Sequence, residues 1–361
     1  MLFQLPDQDT LYTALLARDP SYDGRAYVGV SSTGIFCRLT CPARKPKPEN
    51  CRFYDTIAGC LEAGYRPCKR CHPLAPAAES DPAIQTLLKA LEDRPTHRWS
   101  ESDITQMGFD LSTVRRSFKR QFGITFLEMA RLSRVRDGFE TLSNGGRVID
   151  AQLDAGFSSP SAFRTAFAKL LGTAPSSFSN DALLKADWID TPLGAMIAVS
   201  DKSALHLLEF ADRKALPAEL KKLRTQVRGE LGIGRYSPTN QIEAELAAFF
   251  QAKSDRFETP LALHGTPFSR DVWRALREIP AGQTRSYSEI AHAIGNPAAV
   301  RAVARANGAN QISIVIPCHR VIGADGSLTG YGGGLWRKQK LIELEQRIAT
   351  AKSLDAVQHN H

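Results

Sequence analysis

The sequence predicts a multidomain α+β protein. Three observations carry that expectation. Six of the seven cysteines crowd between residues 37 and 71, apolar residues recur at helical spacing from about 82 to 180, and short alternating strands followed by renewed helical periodicity fill the chain beyond 185. The length of 361 residues is about two to three times that of a usual domain, and 43% apolar content supports a core in each part. No apolar run reaches the ~18 residues of a membrane-spanning helix. The N-terminus MLFQLPDQDT lacks a basic region followed by an apolar stretch, so no signal peptide and a cytoplasmic location are expected. A formal charge of +8 favours a polyanionic partner without requiring one. In such a chain the clustered cysteines read as a metal site plus a separate reactive thiol, not a disulfide framework.

The first part runs to about residue 77. Cys37 and Cys41 form one close pair and Cys68 and Cys71 another, separated by a 26-residue loop. Short pairs place two sulfurs on one tight turn, and two such turns complete a tetrahedron, which points to one Zn2+. Cys51 and Cys60 are spare and read as small buried hydrophobes. His72 is an alternative ligand by position. Arg38, Arg44, Lys45, Lys47, Arg66, Lys69 and Arg70 surround the site and suit contact with a DNA backbone. On spacing alone the zinc is either purely structural or part of a reactive centre.

Asp23-Gly24-Arg25, Gly34-Ile35-Phe36-Cys37-Arg38, Cys41-Pro42-Ala43-Arg44 and Arg66-Pro67-Cys68-Lys69-Arg70-Cys71 resemble the zinc-binding N-terminal domain of the Ada family. The resemblance implies that Cys37 is a nucleophile toward a methylated phosphate. Zinc holds sulfur as thiolate at neutral pH, where a free cysteine is mostly protonated. Four thiolates on Zn2+ carry a charge of about −2; methylating one leaves about −1, so repulsion from DNA phosphate falls. Arg44 and Arg66 are the DNA-contact candidates here.

A Pro/Ala stretch, Pro73-Leu74-Ala75-Pro76-Ala77-Ala78, reads as a linker. Beyond it, Leu111, Val114 and Phe118 share one helical face, with Arg115, Arg116, Lys119 and Arg120 off it. Phe163, Ala166, Phe167 and Leu170 share another, with Arg164 and Lys169 outward. Asp110 and Ser158-Ser159-Pro160 supply helix starts. An amphipathic bundle with a solvated basic face explains this pattern as well as DNA binding does. Residues 118–125, Ala155-Gly156-Phe157-Ser158-Ser159, residues 163–169 and Gly172-Thr173-Ala174-Pro175 resemble the AraC-type DNA-binding domain. That resemblance implies two helix-turn-helix units reading successive major-groove faces, with Arg115, Lys119 and Arg164 as contacts.

The third part opens with strands: Ala195, Ile197 and Val199, a turn at Asp201-Lys202-Ser203, then Leu205, Leu207 and Glu209. The lone Cys318 lies in Ile316-Pro317-Cys318-His319-Arg320-Val321, which by itself reads as an apolar strand with an inert cysteine or as a thiol beside its base. The stretch from about 265 to 347 resembles the O6-alkylguanine-DNA alkyltransferases. Gln283-Thr284-Arg285-Ser286-Tyr287, Ile294-Gly295-Asn296-Pro297, Val300-Arg301-Ala302-Val303, Asn310, the Gly330-Tyr331-Gly332-Gly333-Gly334 loop and Glu345 fall in the family's order. The resemblance implies that Cys318 takes an alkyl group from guanine oxygen. His319 removes its proton through a water, Glu345 orients His319, Asn310 fixes the neighbouring backbone, and Tyr287 gives a proton to the departing base. Gln311 stands where the family usually has proline.

The methyl lies at a base edge inside the duplex, so the nucleotide must flip out. Ile290, Ala293 and Ile294 form an apolar stripe, and Gly295-Asn296-Pro297 ends one helix and starts another. Small Ala298, Ala299 and Ala302 let that second helix approach DNA. The family resemblance puts it in the minor groove with Arg301 filling the space of the flipped base.

The whole chain resembles the Ada family. The expected domains are a small zinc-binding α/β domain at 1–77 and an all-α double helix-turn-helix domain at 82–180. An alkyltransferase follows, with an RNase H-like mixed α/β subdomain at 186–264 and a winged-helix-like subdomain at 265–350. Zinc bound by Cys37, Cys41, Cys68 and Cys71 is expected as cofactor, with no organic cofactor. Alkylated double-stranded DNA, promoter DNA and RNA polymerase are the expected partners, with no membrane. Two rivals stand beside this reading: a repair protein with structural zinc and no regulatory switch, and a lesion-sensing regulator that transfers no methyl.

Overall fold

The computed structural model describes residues 5–358 apart from 20, 21, 25, 56, 72, 74–81, 180 and 228. His72 and most of the Pro/Ala stretch therefore lie outside the described residues. The chain divides into two compact units, one of 1–93 with 101–126 and 323–328, the other of 94–100 with 127–322 and 329–361. No helix among the described residues is long and apolar enough to cross a membrane.

In the first unit, α1 (Gln8–Ala17) starts where the Asp7 carboxylate accepts the Thr10 N–H at 2.8 Å. Four strands follow in spatial order β3-β1-β2-β4, interrupted in sequence by α2 (Ile57–Glu62): β1 (Tyr27–Val30), β2 (Ile35–Arg38), β3 (Cys51–Tyr54) and β4 (Arg66–Pro67). β1 runs antiparallel to β2 and β3, and β4 parallel to β2. Because side chains alternate along a strand, Cys37 on β2 faces the core with Leu11, Leu15 and Val28, while Phe36 faces Tyr27 and Cys60 behind the sheet. Gly29 is required: a Cβ there would lie 2.8 Å from the Tyr65 ring. The unit also holds α3 (Pro82–Asp93), α4 (Glu101–Gln106) and α5 (Leu111–Phe122). Asp110 caps α5 through the Thr113 N–H at 2.8 Å, and Val114 and Phe118 are buried while Arg115, Arg116 and Lys119 are exposed.

The second unit begins with α6 (Phe126–Ser143), whose first residue belongs to the unit before, then α7 (Val148–Asp154) and α8 (Pro160–Leu171). Ser159 caps α8 through the Ala162 N–H, with Pro160 in the first turn. A four-stranded sheet follows in order β7-β6-β5-β8, from β5 (Leu184–Ile189), β6 (Met196–Ser200), β7 (Leu205–Phe210), α9 (Leu216–Val227) and β8 (Leu231–Ile233). Alternation in β6 and β7 predicts one covered face, yet every residue of both strands is buried. Ile197, Val199 and Leu207 pack with Phe139, Phe163 and Phe167 of α6 and α8 and with Leu216 and Leu220 of α9. Met196, Ala198, Leu208 and Phe210 join a second core with α10 (Ser237–Phe250) and α11 (Pro267–Arg277). Glu209 on β7 is fully buried as well.

The remainder positions Cys318. β9 (Arg285–Ser286) leads into α12 (Tyr287–Ala293), a turn at Gly295 and a 3-10 turn at Pro297–Ala299 open α13 (Val300–Gly308), and β10 (Val321–Ile322) pairs in parallel with β9. The last helix is α14 (Leu335–Gln358). Ile290, Val303, Leu341 and Leu344 bury α12, α13 and α14 in the second core. Ala293 departs from the expected apolar stripe: it is exposed, while Ile290 is buried.

Candidate active site and metal centre

Cys318 does not sit on a strand. Residues 312–316 make isolated bridges, Leu208 with Ile312 and Ser313 with Ile316, and Cys318 opens a single 3-10 turn, Cys318–Arg320. The preceding loop holds Ile314 at φ 73°, a left-handed conformation that for a β-branched residue costs on the order of 1–3 kcal/mol. Such a conformation persists where its surroundings over-determine it. Leu208 supplies two of the fixing bonds, donating to Gln311 O at 2.8 Å and accepting from Ser313 N at 2.7 Å.

Asn310 supplies more. Its Oδ1 accepts the Ile312 N–H at 2.9 Å, and its Nδ2 donates to Ile316 O at 2.9 Å and to Cys318 Sγ at 3.1 Å. Burial pushes the Cys318 thiol up to about 11, with the Asn310 hydrogen bond working the other way. The resting sulfur is therefore a thiol, and reaction needs a base.

His319 follows Cys318 directly in the chain. It is fully buried, its Nε2 lies 2.8 Å from Glu345 Oε1, and its Nδ1 meets no protein partner among the described residues. Burial holds the imidazole below its ordinary pKa, against the pull of Glu345. A neutral ring that donates through Nε2 to a carboxylate keeps Nδ1 as an acceptor. Burial raises Glu345, but His319 and Arg320 overcome it and hold the carboxyl at about 2. Arg320 forks onto that carboxylate, Nε to Oε2 at 2.9 Å and Nη2 to Oε1 at 2.8 Å, and also donates to Ile279 O.

Tyr287, the first residue of α12, points its hydroxyl toward Thr329 O at 3.5 Å, and burial raises its pKa, so it remains a proton donor at neutral pH. The loop opposite must be glycine at residue 330, where φ is 59° and a Cβ would lie 2.6 Å from the Tyr287 hydroxyl. On α13, Arg301 is exposed, Ala302 is half-buried like Ala299 in the turn before it, and Val303 and Ala306 face inward. Trp273 Nε1 donates to Ala306 O at 2.9 Å, which ties α13 to α11.

Arg320 and Asn307 were not singled out as site residues in the sequence. Arg320 lies within the quoted stretch around Cys318, where its charge beside a distant Glu345 was the available signal. Asn307 is buried and its Nδ2 lies 3.4 Å from Cys318 O; nothing in the helical pattern of α13 marks it.

The four paired cysteines converge in the first unit. The sulfurs of Cys37, Cys41, Cys68 and Cys71 all lie within 4.8 Å of one another, and Cys41 Sγ is 3.9 Å from Cys68 Sγ. Sulfurs on a tetrahedron around zinc at ~2.3 Å sit about 3.8 Å apart. Backbone N–H groups of Arg38 and Arg70 point at Cys71 Sγ and Cys68 Sγ, each at 3.4 Å, as suits thiolates. Hydrogen bonding to Cys41 and Cys71, with burial, drives the Cys37 thiol far upward while Cys41 is drawn down to about 2. Four sulfurs so close ionise together only around a cation, so the site fits zinc. Cys51 and Cys60 take no part: Cys51 Sγ donates to Lys47 O and Cys60 is buried behind the sheet.

Cys37 lines a cleft of about 600 Å3 with an apolar floor of Leu15, Val28, Val30 and Ile35. Arg44, Arg66, Lys69 and Arg70 are exposed at its rim. Arg38 departs from expectation, being buried, and does not belong to that rim. Lys45 donates to Leu39 O and Cys41 O and so braces the Cys41 turn.

Among the helix-turn-helix candidates, Arg115 is exposed but pairs with Glu101 at 3.2 Å, whereas Lys119 and Arg164 are simply exposed on their helices. A cleft of about 470 Å3 beside α8 adds exposed Arg98, Arg131 and Lys169.

Three family models match the chain: the metal binding domain of Ada over residues 10–73, a helix-turn-helix domain over 105–181, and the 6-O-methylguanine DNA methyltransferase DNA binding domain over 267–347. The bifunctional transcriptional activator/DNA repair enzyme Ada of Escherichia coli (strain K12) is 34% identical over 343 residues, which cover 93% of this chain and 96% of that one. The regulatory protein ada of Salmonella typhimurium is 33% identical over 93% of this chain and 96% of its own. A methylated-DNA–protein-cysteine methyltransferase of Mycobacterium bovis is 44% identical over 163 residues, 45% of this chain and 93% of that one.

Proposed function

The chain belongs to the Ada family, and on that premise we propose that it repairs alkylated DNA by accepting methyl groups on two of its own cysteines. It is a methylated-DNA–protein-cysteine methyltransferase that binds DNA and zinc and activates transcription. The observation that carries the reading is the Cys318 cluster, with Asn310 on the sulfur and His319 held by a buried carboxylate through Nε2 while its buried Nδ1 meets no protein partner among the described residues.

At Cys318 the substrate is O6-methylguanine. His319 Nδ1, through a water, takes the thiol proton, and Glu345 stabilises the imidazolium that results. The Asn310 amide supports the charge on sulfur. The sulfur then attacks the methyl carbon; the S–C bond forms as the C–O bond breaks, and the electron pair stays on guanine oxygen. Tyr287 protonates the departing base. S-methylcysteine is a neutral thioether with no route back to thiolate, so each site reacts once. Arg301 and Ala302 on α13, with Ala299 at its start, lie in the minor groove, and Arg301 fills the gap left by the flipped nucleotide.

At Cys37 the substrate is a methylphosphotriester. Cys37, Cys41, Cys68 and Cys71, within a domain of residues 1–77, would hold zinc, which would keep the Cys37 sulfur as a thiolate at neutral pH. The Cys37 sulfur attacks the methyl carbon and a phosphodiester anion leaves, so no proton moves. Arg44 and Arg66 hold the flanking phosphates. Loss of one thiolate charge then tightens DNA binding, and the 82–180 segment reads promoter DNA through Arg115, Lys119 and Arg164 with RNA polymerase as a further partner. We read 186–264 as an RNase H-like subdomain and 265–350 as a winged-helix-like one, one zinc as the sole cofactor, and the cytoplasm as the place of action.

Peptide mass mapping after incubation of zinc-loaded protein with methylated duplex DNA tests this. A methyl on both Cys37 and Cys318 is expected. Methylation of Cys318 alone makes the zinc structural, and lesion binding with Cys318 unmodified makes the protein a sensor.

A further inference from the structure

The second unit contains a buried charge cluster that the scheme above does not use. Glu209, at the end of β7, has no exposed surface. Its Oε1 accepts the Phe210 N–H at 2.8 Å, its Oε2 accepts the Ser313 hydroxyl at 2.8 Å, and it pairs with Arg213. A buried carboxylate persists only when it is paired and hydrogen-bonded, so this pair fixes where Arg213 sits. Glu219 holds the same guanidinium from α9, at 3.1 Å.

The guanidinium faces the active-site loop. Nη1 donates to Asn310 O at 3.2 Å and Nη2 to Gly308 O at 3.0 Å. Gly308 ends α13 and Asn310 lies two residues beyond it, so the cation caps the C-terminus of that helix, where a positive charge is favoured. The glycine loop also closes on it: a Cβ at Gly332 would come within 2.7 Å of Arg213 Cζ. One planar side chain thus touches the end of α13, the residue that bonds Cys318, and the loop after it.

We propose that Arg213 is a positioning residue for methyl transfer at Cys318. Clamped by Glu209 and Glu219, it holds the Asn310 backbone so that Asn310 Nδ2 stays on Cys318 Sγ. It also couples α13 to that bond. The inference rests on the Cys318 reading above. A fork is needed, because a single ammonium cannot span two carbonyls and two carboxylates in fixed planar geometry. The positive charge also eases ionisation of Cys318, which Glu209 opposes.

The test uses full-length zinc-loaded protein, with Arg213→Ala and Arg213→Lys compared to wild type. Two quantities are read: the single-turnover rate of transfer from an O6-methylguanine duplex, and the pH midpoint of Cys318 alkylation by iodoacetamide, assigned by peptide mapping. Arg213→Ala should slow transfer by about tenfold or more and move the midpoint to higher pH, with Arg213→Lys between it and wild type on both. A folded variant with wild-type rate and midpoint overturns the proposal, as does a slower rate with an unmoved midpoint. If Arg213→Ala does not fold, Arg213→Lys decides by the same two readouts. Wild-type protein that leaves Cys318 unmethylated sinks the underlying reading instead, and is recognised before any variant is compared.

Discussion

The Asn310 amide joins the Cys318 sulfur to the strained loop in front of it. Its Nδ2 is 3.1 Å from Cys318 Sγ and 2.9 Å from Ile316 O, while its Oδ1 holds the Ile312 N–H on the other side of Ile314. One side chain therefore both shapes the turn and donates to the Cys318 sulfur.

Asn310→Ala should act on both. It removes the donor to Cys318 and strands a buried N–H and a buried carbonyl, for a stability loss of about 1–3 kcal/mol. Transfer should slow by about a hundredfold, since a donor to developing charge is lost. Chemical denaturation and single-turnover kinetics read the two effects. A variant that transfers at the wild-type rate removes Asn310 from the mechanism.

The His319–Glu345 pair predicts an acid limb for stability. Glu345 is a carboxylate held below its ordinary value, at about 2. Its contribution is complete above its unfolded pKa and is lost as pH falls through the folded one, a window from about 4.5 down to about 2. His319 has the same sign: a depressed imidazole favours the unfolded state once pH falls below its ordinary value. Glu345→Gln should flatten the Glu345 part of the limb and slow transfer at neutral pH. Hydrogen exchange of peptides from the Cys318 region as a function of pH checks the limb without interference from the zinc site. An unchanged limb in Glu345→Gln refutes the assignment.

The cysteine roles separate by metal content. Cys41→Ala should lose zinc, since its sulfur is one of the four that converge, and Cys51→Ala and Cys60→Ala should keep it. Chelation of the wild type should expose the Cys37 region to proteolysis, while leaving transfer to Cys318 intact. Zinc released on thiol modification and limited proteolysis provide the readouts. Retention of zinc by Cys41→Ala contradicts the ligand set.

What was legible in the sequence was what local pattern encodes. Paired cysteines, capped helices at Asp110 and Ser159, and the His319 neighbour of Cys318 depend on spacing over a few residues. Glu345 was found only through resemblance, since no local pattern joins it to His319. The burial of Glu209 could not be read from β7 alone, because alternation along a strand does not say whether both faces of its sheet are covered. In this sheet α6, α8 and α9 cover one side and α10 and α11 the other, so a polar residue on β7 has nowhere to be but inside, and needs Arg213. Arg38 failed for a related reason, since a basic residue beside a metal knuckle looks exposed until the sheet register shows it buried. Tertiary covering, not propensity, decided each case.

Arg301 offers the sharpest separation of DNA handling from chemistry. It is exposed on the first turn of α13, while Val303 and Ala306 anchor the same helix in the core, so its removal leaves the fold and the Cys318 cluster untouched. If it fills the space of a flipped nucleotide, Arg301→Ala loses the stabilisation of the extrahelical state, worth a few kcal/mol. Transfer from an O6-methylguanine duplex should then fall by about tenfold to a hundredfold. Transfer from the free modified base needs no flipping and should keep its wild-type rate. A phosphate contact would instead weaken binding to all duplexes alike and lower the salt dependence by about one ion. Equal losses on duplex and free base would mean that Arg301 serves the chemistry, and the flipping role would be wrong.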